Sequence, residues 1–473
     1  MKRVLVSAPF ALSLRNFVAT GLCSQMSAAI GEVVLVSPYA AAAFTGPDGQ
    51  PVRNAHLPAA DGEWGIPKPS QVTWLDEQWK FLHMTGFAQE YPDGSLQMMA
   101  MGTNRNARWW AARLLRAVAP RGSRRRAAFR RVNEARRPRR PVIQELFDRE
   151  DPGLVVVASP GHYWADQFVM EEAARRGVPT LCVVLSWDNL YSRGPLVRRP
   201  DHLAVWSTAM RRQAEAVHDF PADRIHEVGA LQFGYYAEPV SAGEEAAMRR
   251  AIGLAPGENY IAYVCGARTA RYDVEDVRAL IAALRGGEFG GLRIVVRPHP
   301  QGTRSIYSEL APEGVLLDAS PDLTDTKTRP DAVDREAIRH MAAFLGRADY
   351  VVSSWGTTAL LEATLLDRPT IQLRWMDSVS HGNLGEAKLV RDFQRYLHMK
   401  DFDAPGARLY SDAPSDLVAT MRRLRDCEAE FRDRRRTLVA RLVRFPLDGC
   451  TGRVLAACGA ILSGGNGPDF LRT

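Results

Sequence analysis

At 473 residues the chain is too long for a single hydrophobic core, because domains usually contain about 100–200 residues, so two large domains are expected. The apolar content of 46% and the charged content of 24% are those of an ordinary globular protein. The six cysteines are scattered, with no Cys-x-x-Cys pair. That spacing argues against a zinc site or a disulfide framework and favours a reducing compartment.

The chain begins with a short apolar run that is rich in β-branched residues. This pattern predicts a buried first strand over residues 3–9 rather than a signal peptide. No segment approaches the ~18 uninterrupted apolar residues of a membrane span. These features together predict a cytoplasmic protein.

The first half alternates short apolar runs with helical patterns. A helix is predicted over 15–29 and a second strand over 32–38, and a long insertion follows. The alternation then resumes. Strands are predicted at 153–160, 179–186, 202–207 and 224–230, and helices are predicted at 142–149, at 167–176 and from the end of the 202–207 strand to residue 217. Nearly continuous apolar strands followed by helices are typical of a parallel sheet covered on both faces.

A basic segment, Arg108 to Arg140, lies in an insertion at about 105–140. It contains thirteen arginines and one acid, Glu134, so the net charge of this segment alone exceeds the +7 net charge of the whole chain. With Trp109 and Trp110 among the arginines, the pattern predicts a helix pair that docks on an anionic membrane surface, at the inner face of the plasma membrane. A solvated basic face is the alternative. No nucleic acid partner is expected, since no recognised binding motif surrounds the patch.

The second half repeats the alternation after a predicted linker at 234–243. Strands are predicted at 260–266, 292–300, 314–319, 349–354 and 369–374, and helices at 274–284, 335–345, 357–366, 414–444 and 454–462. The predicted fold class is α/β, with domains at 1–235 and 245–445 and a C-terminal helix and tail at 446–473. Two doubly wound domains place their ligand sites at the carboxyl ends of the strands, facing each other across a cleft.

The stretch 348–371 predicts a buried strand, a turn and a helix with the features of a phosphate site. Its small and polar residues at the strand end, the turn and the first helical turn are Ser353, Ser354, Gly356, Thr357 and Thr358. The free N–H groups and the dipole of a first helical turn favour a phosphate. Glu362 lies on the same helix face as Thr358, where a carboxylate can accept ribose hydroxyls. A plain strand, turn and helix with a solvated Glu362 is the alternative.

Two further strand ends carry groups suited to a diphosphate. Prolines on both sides of His299 stop strand pairing and hold this histidine at the carboxyl end of its strand, although a lone histidine is as often structural. The loop after the 260–266 strand offers a glycine and the fixed cation of Arg268. No dinucleotide-binding glycine motif, Walker loop or Gly-x-Ser-x-Gly motif is present, so dehydrogenase, ATPase and α/β-hydrolase functions lose their main support.

The segments 297–300 and 348–371 resemble the donor half of bacterial GT-B glycosyltransferases that build surface polysaccharide and teichoic acid, including the CDP-glycerol glycerophosphotransferases. Those enzymes have an Arg-x-His-Pro strand end and, later, an Asp-x-x-x-Ser-Asp-x-Ser-Ser-like strand before a helix with a glutamate. This chain has the first motif and, from Asp349, the second without its second aspartate. The resemblance implies a GT-B fold of two Rossmann-like domains. It also implies that a nucleotide diphosphate donor is bound by His299, Ser354, Thr357 and Glu362.

The first half also resembles this superfamily at several predicted strand ends. The residues there are Arg15 and Asn16 after the first strand, Trp187, Asp188 and Asn189 after a later one, and Gln232-Phe233 after the last. Attack by an acceptor hydroxyl on the anomeric carbon needs a base from this domain, and Asp188 and His162 are the candidates. Bracing of its own loop is the alternative for Asp188, and an exposed loop position is the alternative for His162.

We therefore expect a metal-independent glycosyltransferase that moves a sugar from a nucleotide diphosphate donor to a cell-surface glycan or lipid-linked acceptor. Backbone amides, Arg268 and a helix N-terminus stabilise the leaving phosphate in this mechanism, so neither a metal nor a cofactor is expected. The alternatives are a nucleotide-sugar 2-epimerase, a polyol-phosphate transferase and a non-catalytic GT-B-like subunit.

Overall fold

In the computed structural model the chain divides into two compact units, which consist of Met1–Gly234 with Leu442–Thr473 and of Tyr235–Arg441. The structure describes residues 3–60, 68–86, 138–192, 198–299, 304–318, 335–382, 384–394 and 406–464, with isolated positions at 196, 399 and between 110 and 135. Most of the basic segment therefore lies outside the described residues. Among the described residues, no helix combines the length and apolar content that crossing a membrane requires.

The first unit is built on an eight-stranded sheet. Its strands are β1 (Arg3–Ser7), β2 (Val33–Ser37), β3 (Ala43–Thr45), β4 (Pro51–His56), β7 (Pro152–Val157), β8 (Thr180–Val183), β9 (His202–Val205) and β10 (Ile225–Glu227), while β5 (Ala59–Ala60) and β6 (Lys68–Pro69) form a separate antiparallel pair. The order is β10–β9–β8–β7–β1–β2–β4–β3, and only the β3–β4 pair is antiparallel. Chain order reverses between β1 and β7, the position at which open α/β sheets bind ligands.

Helices connect these strands. They are α1 (Ala11–Leu14), a π-helical turn (Arg15–Ala19), α2 (Leu22–Ala29), α3 (Trp74–Gly86), α4 (Pro141–Glu150), α5 (Trp164–Arg176), α6 (Asn189–Ser192), α7 (Thr208–His218) and a C-terminal helix (Cys450–Leu462), with 3₁₀ turns at Ala222–Arg224 and Leu231–Ala237. The prediction of one helix over 15–29 is wrong, because Gly21 adopts a φ of 75° and separates the π-helical turn from α2. Strands β3 and β4 lie where only an insertion was predicted.

The central strands of this sheet are covered on both faces, as the apolar runs predicted. All residues of β2 and β8 are buried, and so are all but one of β1 and of β7. Burial of Val, Leu and Ile side chains on both faces contributes roughly 1.5–3 kcal/mol per side chain. The parallel α/β architecture of the first unit is thereby confirmed.

The C-terminal residues are held in the first unit by hydrogen bonds to its last strands. The Arg444 N–H donates to the carbonyl of Trp206 at 2.8 Å, and its guanidinium donates to the carbonyl of Glu227 at 2.7 Å. The Arg453 guanidinium donates to the carbonyl of Val228, also at 2.8 Å. The predicted C-terminal helix and tail at 446–473 therefore group with residues more than 200 positions earlier in the chain.

The second unit contains a six-stranded sheet that is parallel throughout. Its strands are β11 (Tyr260–Val264), β12 (Arg293–Arg297), β13 (Leu316–Leu317), β14 (Tyr350–Ser353), β15 (Thr370–Leu373) and β16 (Leu409–Ser411), in the order β13–β12–β11–β14–β15–β16. Chain order reverses between β11 and β14, which makes the gap between these strands the expected ligand position of this sheet.

The helices of the second unit include two that the sequence analysis did not predict, α8 and α12. The set is α8 (Ala242–Ile252), α9 (Ala270–Leu284), α10 (Arg335–Gly346), α11 (Thr358–Leu365), α12 (Leu384–Gln394), α13 (Leu417–Asp426) and α14 (Glu428–Leu442), with 3₁₀ segments at Arg304–Glu313, Trp375–Asp377 and Pro414–Asp416. The tail predicted as helical over 414–444 is thus a 3₁₀ turn and two helices, which are interrupted at Cys427. The core between the sheet and α9 is apolar and includes Tyr263, Val277 and Tyr350.

The predicted linker at 234–243 is fixed to the second unit by one buried arginine. Arg339 of α10 is 4% exposed and donates to the carbonyls of Tyr235 at 2.6 Å and Pro239 at 2.8 Å. It also donates to both carboxylate oxygens of Glu244, at 2.6 and 2.9 Å, and this ion pair lowers the pKa of Glu244 to about 2. Ser241 and Glu244 form a capping box that begins α8.

Two buried histidines face each other on neighbouring strands of the first unit. His202 Nδ1 lies 3.1 Å from His226 Nε2, and the guanidinium of Arg224 lies 3.2 Å from His202 Nε2. Since arginine can only donate, the hydrogen of His202 must be on Nδ1, where it points at His226. Burial, with the nearby positive groups, lowers the pKa of His226 to about 4 and also lowers that of His202.

This pair is expected to make the protein acid-sensitive. Because the folded-state pKa of His226 is below its ordinary value of about 6.5, the unfolded chain takes up a proton first as the pH falls from 6.5 towards 4, and stability is lost in that window. The expected loss between pH 7 and pH 5 is about 2 kcal/mol. Urea unfolding at both pH values should show a smaller loss for His226→Gln. The exposed His56 supplies the control, and a His226→Gln slope equal to that of His56→Gln would contradict the assignment.

Candidate functional site

The strand order of the second unit places the ends of β12, β11 and β14 side by side. The side chain of Ser353 joins two of these ends, because its hydroxyl lies 2.7 Å from the carbonyl of Val264 and 2.7 Å from that of Trp355. A Cβ atom added to Gly266 would lie only 3.1 Å from Cβ of Trp355. The loops after β11 and β14 are therefore in direct contact, and glycine at position 266 permits this approach.

Helix α11 begins immediately after the β14 turn. Thr357 is its N-cap, with φ −87° and ψ 161°, and makes no side-chain capping hydrogen bond. Its hydroxyl is buried and has no hydrogen-bond partner among the described residues. Free N–H groups of a first helical turn and an uncommitted hydroxyl are the groups that a phosphate oxygen requires.

Glu362 lies one turn into α11 and is only 6% exposed. The alternative in which this carboxylate is solvated is therefore wrong. A buried carboxylate needs hydrogen-bond donors, because its transfer from water without them is costly. Both Thr358 and Glu362 belong to α11, and they are separated by one helical turn.

His299 and Arg268 lie at the same edge of this sheet, after β12 and β11. His299 is half-buried and Arg268 is exposed. The neighbouring Arg297, in contrast, is 6% exposed and forms a buried ion pair with Asp318, which His340 also contacts at 3.1 Å. Within the Arg-x-His-Pro segment, the arginine therefore stabilises the end of β12, and His299 is placed at the edge.

Ser354 belongs to a buried arrangement that the sequence analysis did not predict. We refer to four side chains, each at most 1% exposed, as the buried chain: Asp273, Tyr263, Ser354 and Asp276. The Tyr263 hydroxyl lies 3.0 Å from Asp273 Oδ1 and 3.0 Å from Ser354 Oγ, and Ser354 Oγ contacts Asp276 Oδ2. Ser354, predicted as a donor ligand, thus directs its hydroxyl at Asp276. The sequence contained a signal for this arrangement, namely two aspartates three residues apart within one helix.

Further groups contact both ends of the buried chain. His381 Nε2 lies 2.7 Å from Asp276 Oδ1, and the His381 ring is stacked on Tyr272 with centroids 3.6 Å apart and planes 2° from parallel. At the other end, Asp273 Oδ2 accepts hydrogen bonds from the Thr269 hydroxyl at 2.8 Å and the Gly266 N–H at 3.2 Å. No cluster in the described part of the chain offers three side chains arranged to hold a metal ion.

In the first unit, the ends of β1, β7 and β8 are also adjacent. Asn16, in the π-helical turn after β1, donates from Nδ2 to Gln232 Oε1 at 2.9 Å. Gln232 in turn donates to the carbonyl of Leu185, after β8, at 3.2 Å. All three residues are buried, so the loops after β1 and β8 are tied together through Gln232. Short π-helical segments inside helices often occur at functional sites.

The two predicted bases follow neighbouring strands of this sheet. His162 follows β7 and is 9% exposed, so the alternative in which it is an exposed loop residue is wrong. Its carbonyl accepts a hydrogen bond from Lys80 Nζ at 2.5 Å. Asp188 follows β8 and is partly exposed, and the hydroxyl of Ser186 lies 2.5 Å from its Oδ1 atom.

The other acceptor-side candidates surround these loops. Trp187 and Asn189 are buried, at 5% and 3% exposure, and Asn189 Nδ2 lies 3.4 Å from Asp188 Oδ1. Arg15 is half-buried, with Nε 3.4 Å from Asn16 Oδ1. The first unit therefore brings the predicted acceptor-side residues to one sheet edge, and the second unit does the same for the predicted donor residues.

Neither the protein-family models nor the curated proteins contain a match to this chain. Solved structures do match over nearly the whole length. The UDP-GlcNAc 2-epimerase of Neisseria meningitidis, solved with UDP-GlcNAc bound, has a TM-score of 0.50 at 10% identity and covers 98% of this chain and 100% of its own. A Listeria monocytogenes protein assigned as a UDP-N-acetylglucosamine 2-epimerase has a TM-score of 0.50 at 12% identity, with 98% and 97% coverage.

A Rickettsia africae glycosyltransferase also matches, with a TM-score of 0.45 at 10% identity, and covers 100% of this chain and 99% of its own. At such identities the similarity defines the fold alone. The predicted fold class is confirmed: the chain is an α/β protein of the GT-B fold, with two Rossmann-like units.

Proposed function

We propose that this protein is a glycosyltransferase that binds a sugar nucleotide at the carboxyl edge of the second sheet and transfers the sugar to a glycan or lipid-linked acceptor. One observation carries the proposal. At the β11–β14 reversal, the N-terminus of α11 combines a Thr357 hydroxyl that has no partner among the described residues with a buried Glu362 one turn later. A diphosphate at the helix N-terminus leaves its ribose within one helical turn of that carboxylate.

The surrounding groups suit a leaving nucleotide diphosphate. The amides of the α11 N-terminus and the Arg268 guanidinium stabilise the negative charge that develops on the leaving phosphate, through hydrogen bonds and positive charge. His299 is a further hydrogen-bond donor at the same edge. These groups need no metal to act. The role of the first unit is to deprotonate the acceptor hydroxyl, through Asp188 or, failing that, His162.

A nucleotide-sugar 2-epimerase is the second candidate. It is favoured by the similarity, over nearly the full length of both chains, to the Neisseria meningitidis and Listeria monocytogenes proteins. The polyol-phosphate transferase is supported only by the sequence motifs at 297–300 and 348–371, which lack the second aspartate.

One experiment separates these functions. The protein is incubated with a panel of UDP-, GDP-, CDP- and dTDP-sugars and with CDP-glycerol, with and without cell-envelope extract, and nucleotide release and donor isomerisation are followed. Nucleotide release that depends on extract and a sugar donor is expected for the transferase. Isomerisation of the donor without extract would establish the epimerase function. Turnover restricted to CDP-glycerol would establish the polyol-phosphate transferase function. Binding without turnover would reduce the protein to a non-catalytic subunit.

Attachment to anionic lipid through the basic segment is part of this proposal, since it brings the enzyme to a lipid-linked acceptor. Described side chains of the segment support an apolar contact there, since Trp110 and Leu114 are 58% and 68% exposed. Exposed aromatic and aliphatic groups beside arginines are typical of a surface that enters the lipid headgroup region.

Vesicle sedimentation tests this attachment. Each basic residue near an anionic surface contributes about 1 kcal/mol, and the attraction is screened by salt, so binding to phosphatidylserine vesicles should weaken as ionic strength rises. Replacing five arginines by glutamine should abolish most of the vesicle binding, and replacing the same five by lysine should preserve it. The five positions are Arg124, Arg125, Arg126, Arg130 and Arg131. Equal sedimentation of the glutamine and lysine variants would indicate a solvated face or a protein-binding surface.

A further inference from the structure

The two loops that face the proposed diphosphate position are connected from inside the second unit by the buried chain. Asp273 accepts the Gly266 N–H at 3.2 Å and the Thr269 hydroxyl at 2.8 Å, and both donors belong to the loop after β11. At the opposite end, Ser354 belongs to the loop after β14 and contacts Asp276. The hydroxyl of Tyr263 bridges the two halves, with contacts of 3.0 Å on either side.

We propose that the buried chain is a positioning device that fixes the spacing of these two loops, and that one hydrogen held by Asp273 is what keeps it continuous. The proposal rests on the proposed function for its ligand, a sugar nucleotide. None of the four residues touches that ligand in this proposal. They act through Gly266 and through the turn that begins α11.

Counting hydrogens shows why one extra hydrogen is required. The buried chain contains three successive contacts, from Asp273 to Tyr263, from Tyr263 to Ser354 and from Ser354 to Asp276. Its two hydroxyl groups supply two hydrogens. With both carboxyl groups ionised, one of the three contacts therefore joins two oxygen atoms with no hydrogen between them. A third hydrogen on either carboxyl group completes the chain.

The neighbours of the two carboxyl groups place that hydrogen on Asp273. Asp276 Oδ1 faces His381 Nε2 at 2.7 Å, and with the ring hydrogen on Nε2 this histidine donates to the carboxyl group and favours its ionised form. The groups that face Asp273 are uncharged: the hydroxyls of Thr269, Tyr263 and Tyr307, the Gly266 N–H and the nearby Cys265 thiol.

Burial raises the pKa of Asp273 to about 8, with a smaller contribution from Asp276, against the opposing hydrogen bonds. Burial also raises the pKa of Asp276, and the hydrogen bond from His381 opposes that rise. The Asp273 Oδ2 atom already accepts three donors, so the hydrogen belongs on Oδ1, which faces Tyr263.

Two chemically identical substitutions, three residues apart, are expected to have opposite effects. In Asp273→Asn the amide N–H₂ reproduces the donor towards Tyr263, and the amide oxygen still accepts from Thr269 and Gly266. In Asp276→Asn the new N–H₂ group faces the Ser354 hydroxyl, so that hydroxyl either meets a donor or turns towards Tyr263, and the second arrangement requires Asp273 to be ionised against its raised pKa. Either an unsatisfied buried donor or an ionised buried carboxyl group typically weakens the function that depends on it by about tenfold or more.

The test measures the affinity of the full-length protein for the tightest-binding sugar nucleotide of the panel, by calorimetry, together with hydrogen exchange of residues 265–270 and 353–358 without ligand. We expect Asp273→Asn to bind within about threefold of the wild type at pH 7, and Asp276→Asn to bind about tenfold or more weakly with faster exchange in both segments. Above pH 8 the affinity of the wild type should fall, and that of Asp273→Asn should not.

A matched pair of tyrosine variants provides the control for folding. Tyr260 and Tyr263 both lie in β11 and both are fully buried. The Tyr260 hydroxyl donates to the carbonyl of Phe344 at 2.5 Å, and in this proposal the Tyr263 hydroxyl donates to Ser354 Oγ at 3.0 Å. Tyr263→Phe, which removes both contacts at the middle of the buried chain, should weaken binding about tenfold, and Tyr260→Phe, which removes one buried hydrogen bond outside that chain, should not.

Three outcomes would overturn the positioning role even where the wild type binds its nucleotide. The two asparagine variants could lose affinity equally, Asp273→Asn could lose more affinity than Asp276→Asn, or the two phenylalanine variants could bind with equal affinity. A wild type that binds no member of the panel contradicts the proposed function and, with it, the ligand of this proposal. The two failures are therefore distinguishable.

Discussion

The Asp188→Asn variant is expected to turn over about one hundred- to ten-thousandfold more slowly than the wild type, with donor affinity changed little. General base catalysis contributes a factor of this size, and asparagine cannot take up the proton of an acceptor hydroxyl. The substitution separates catalysis from loop bracing, because its amide oxygen can still accept the hydrogen bonds that Ser186 and Asn189 direct at Oδ1 of Asp188. The measurement is steady-state turnover at saturating donor, beside donor affinity by calorimetry.

The matched control is Ser186→Ala, which removes the brace and keeps the carboxylate. It should retain most of the turnover. If Ser186→Ala loses as much as Asp188→Asn, the aspartate serves its loop, as the alternative interpretation holds. If Asp188→Asn retains full turnover, His162→Asn becomes the decisive variant, and activity in both would remove the acceptor-side assignment altogether.

The Glu362→Ala variant is expected to bind the donor nucleotide about ten- to one hundredfold more weakly. A hydrogen bond to a charged group contributes roughly 1.5–3 kcal/mol, and Glu362 is the buried carboxylate one turn after the α11 N-terminus. Calorimetric titration with a nucleoside diphosphate and with its 2′-deoxy counterpart gives the measurement. The wild type should prefer the ribose form, and Glu362→Ala should lose that preference.

Thr364→Val is the control for this variant, because Thr364 is buried in the same helix and its hydroxyl donates to the carbonyl of Leu360 at 2.7 Å. It should change stability without changing nucleotide affinity. An unaltered affinity of Glu362→Ala for every nucleotide that the wild type binds would contradict the ribose assignment.

Local pattern predicted the buried central strands of both sheets, because a strand buried on both faces leaves a nearly continuous apolar run in the sequence, and it missed strands at or next to a sheet edge such as β3, β4 and β16. The strand and helix around 348–371 were predicted within about two residues, since the strand, the turn and the first helical turn are consecutive. The break at Gly21 was missed because a helical pattern continues across it, and only the positive φ of this glycine separates the two segments.

The roles of individual polar side chains were harder to predict from the sequence than the strands were. Ser353 and Ser354 are equivalent by sequence, yet one hydroxyl contacts the carbonyl of Val264 and the other contacts Asp276. Which way a side chain points at the end of a strand depends on groups that approach from elsewhere in the chain. Similarly, Arg297 matches a family motif, but its burial against Asp318 assigns it to the support of β12.

The sequence by itself determined the α/β class, the two repeats of alternating strands and helices, and the small residues and glutamate that follow β14, because each of these is a local pattern. Only the tertiary structure decided that Arg339 holds the segment after Gly234, that residues 442–473 join the first unit, and that Asp273 and Asp276 share one chain with Ser354. Apart from Tyr263 and Asp273, which are 10 positions apart, the partners lie about 80 to more than 200 positions apart, as with Glu227 and Arg444, which are separated by 217 positions. Hydrogen bonds over such separations form because buried polar groups must find donors or acceptors, and the fold alone determines which ones are within reach.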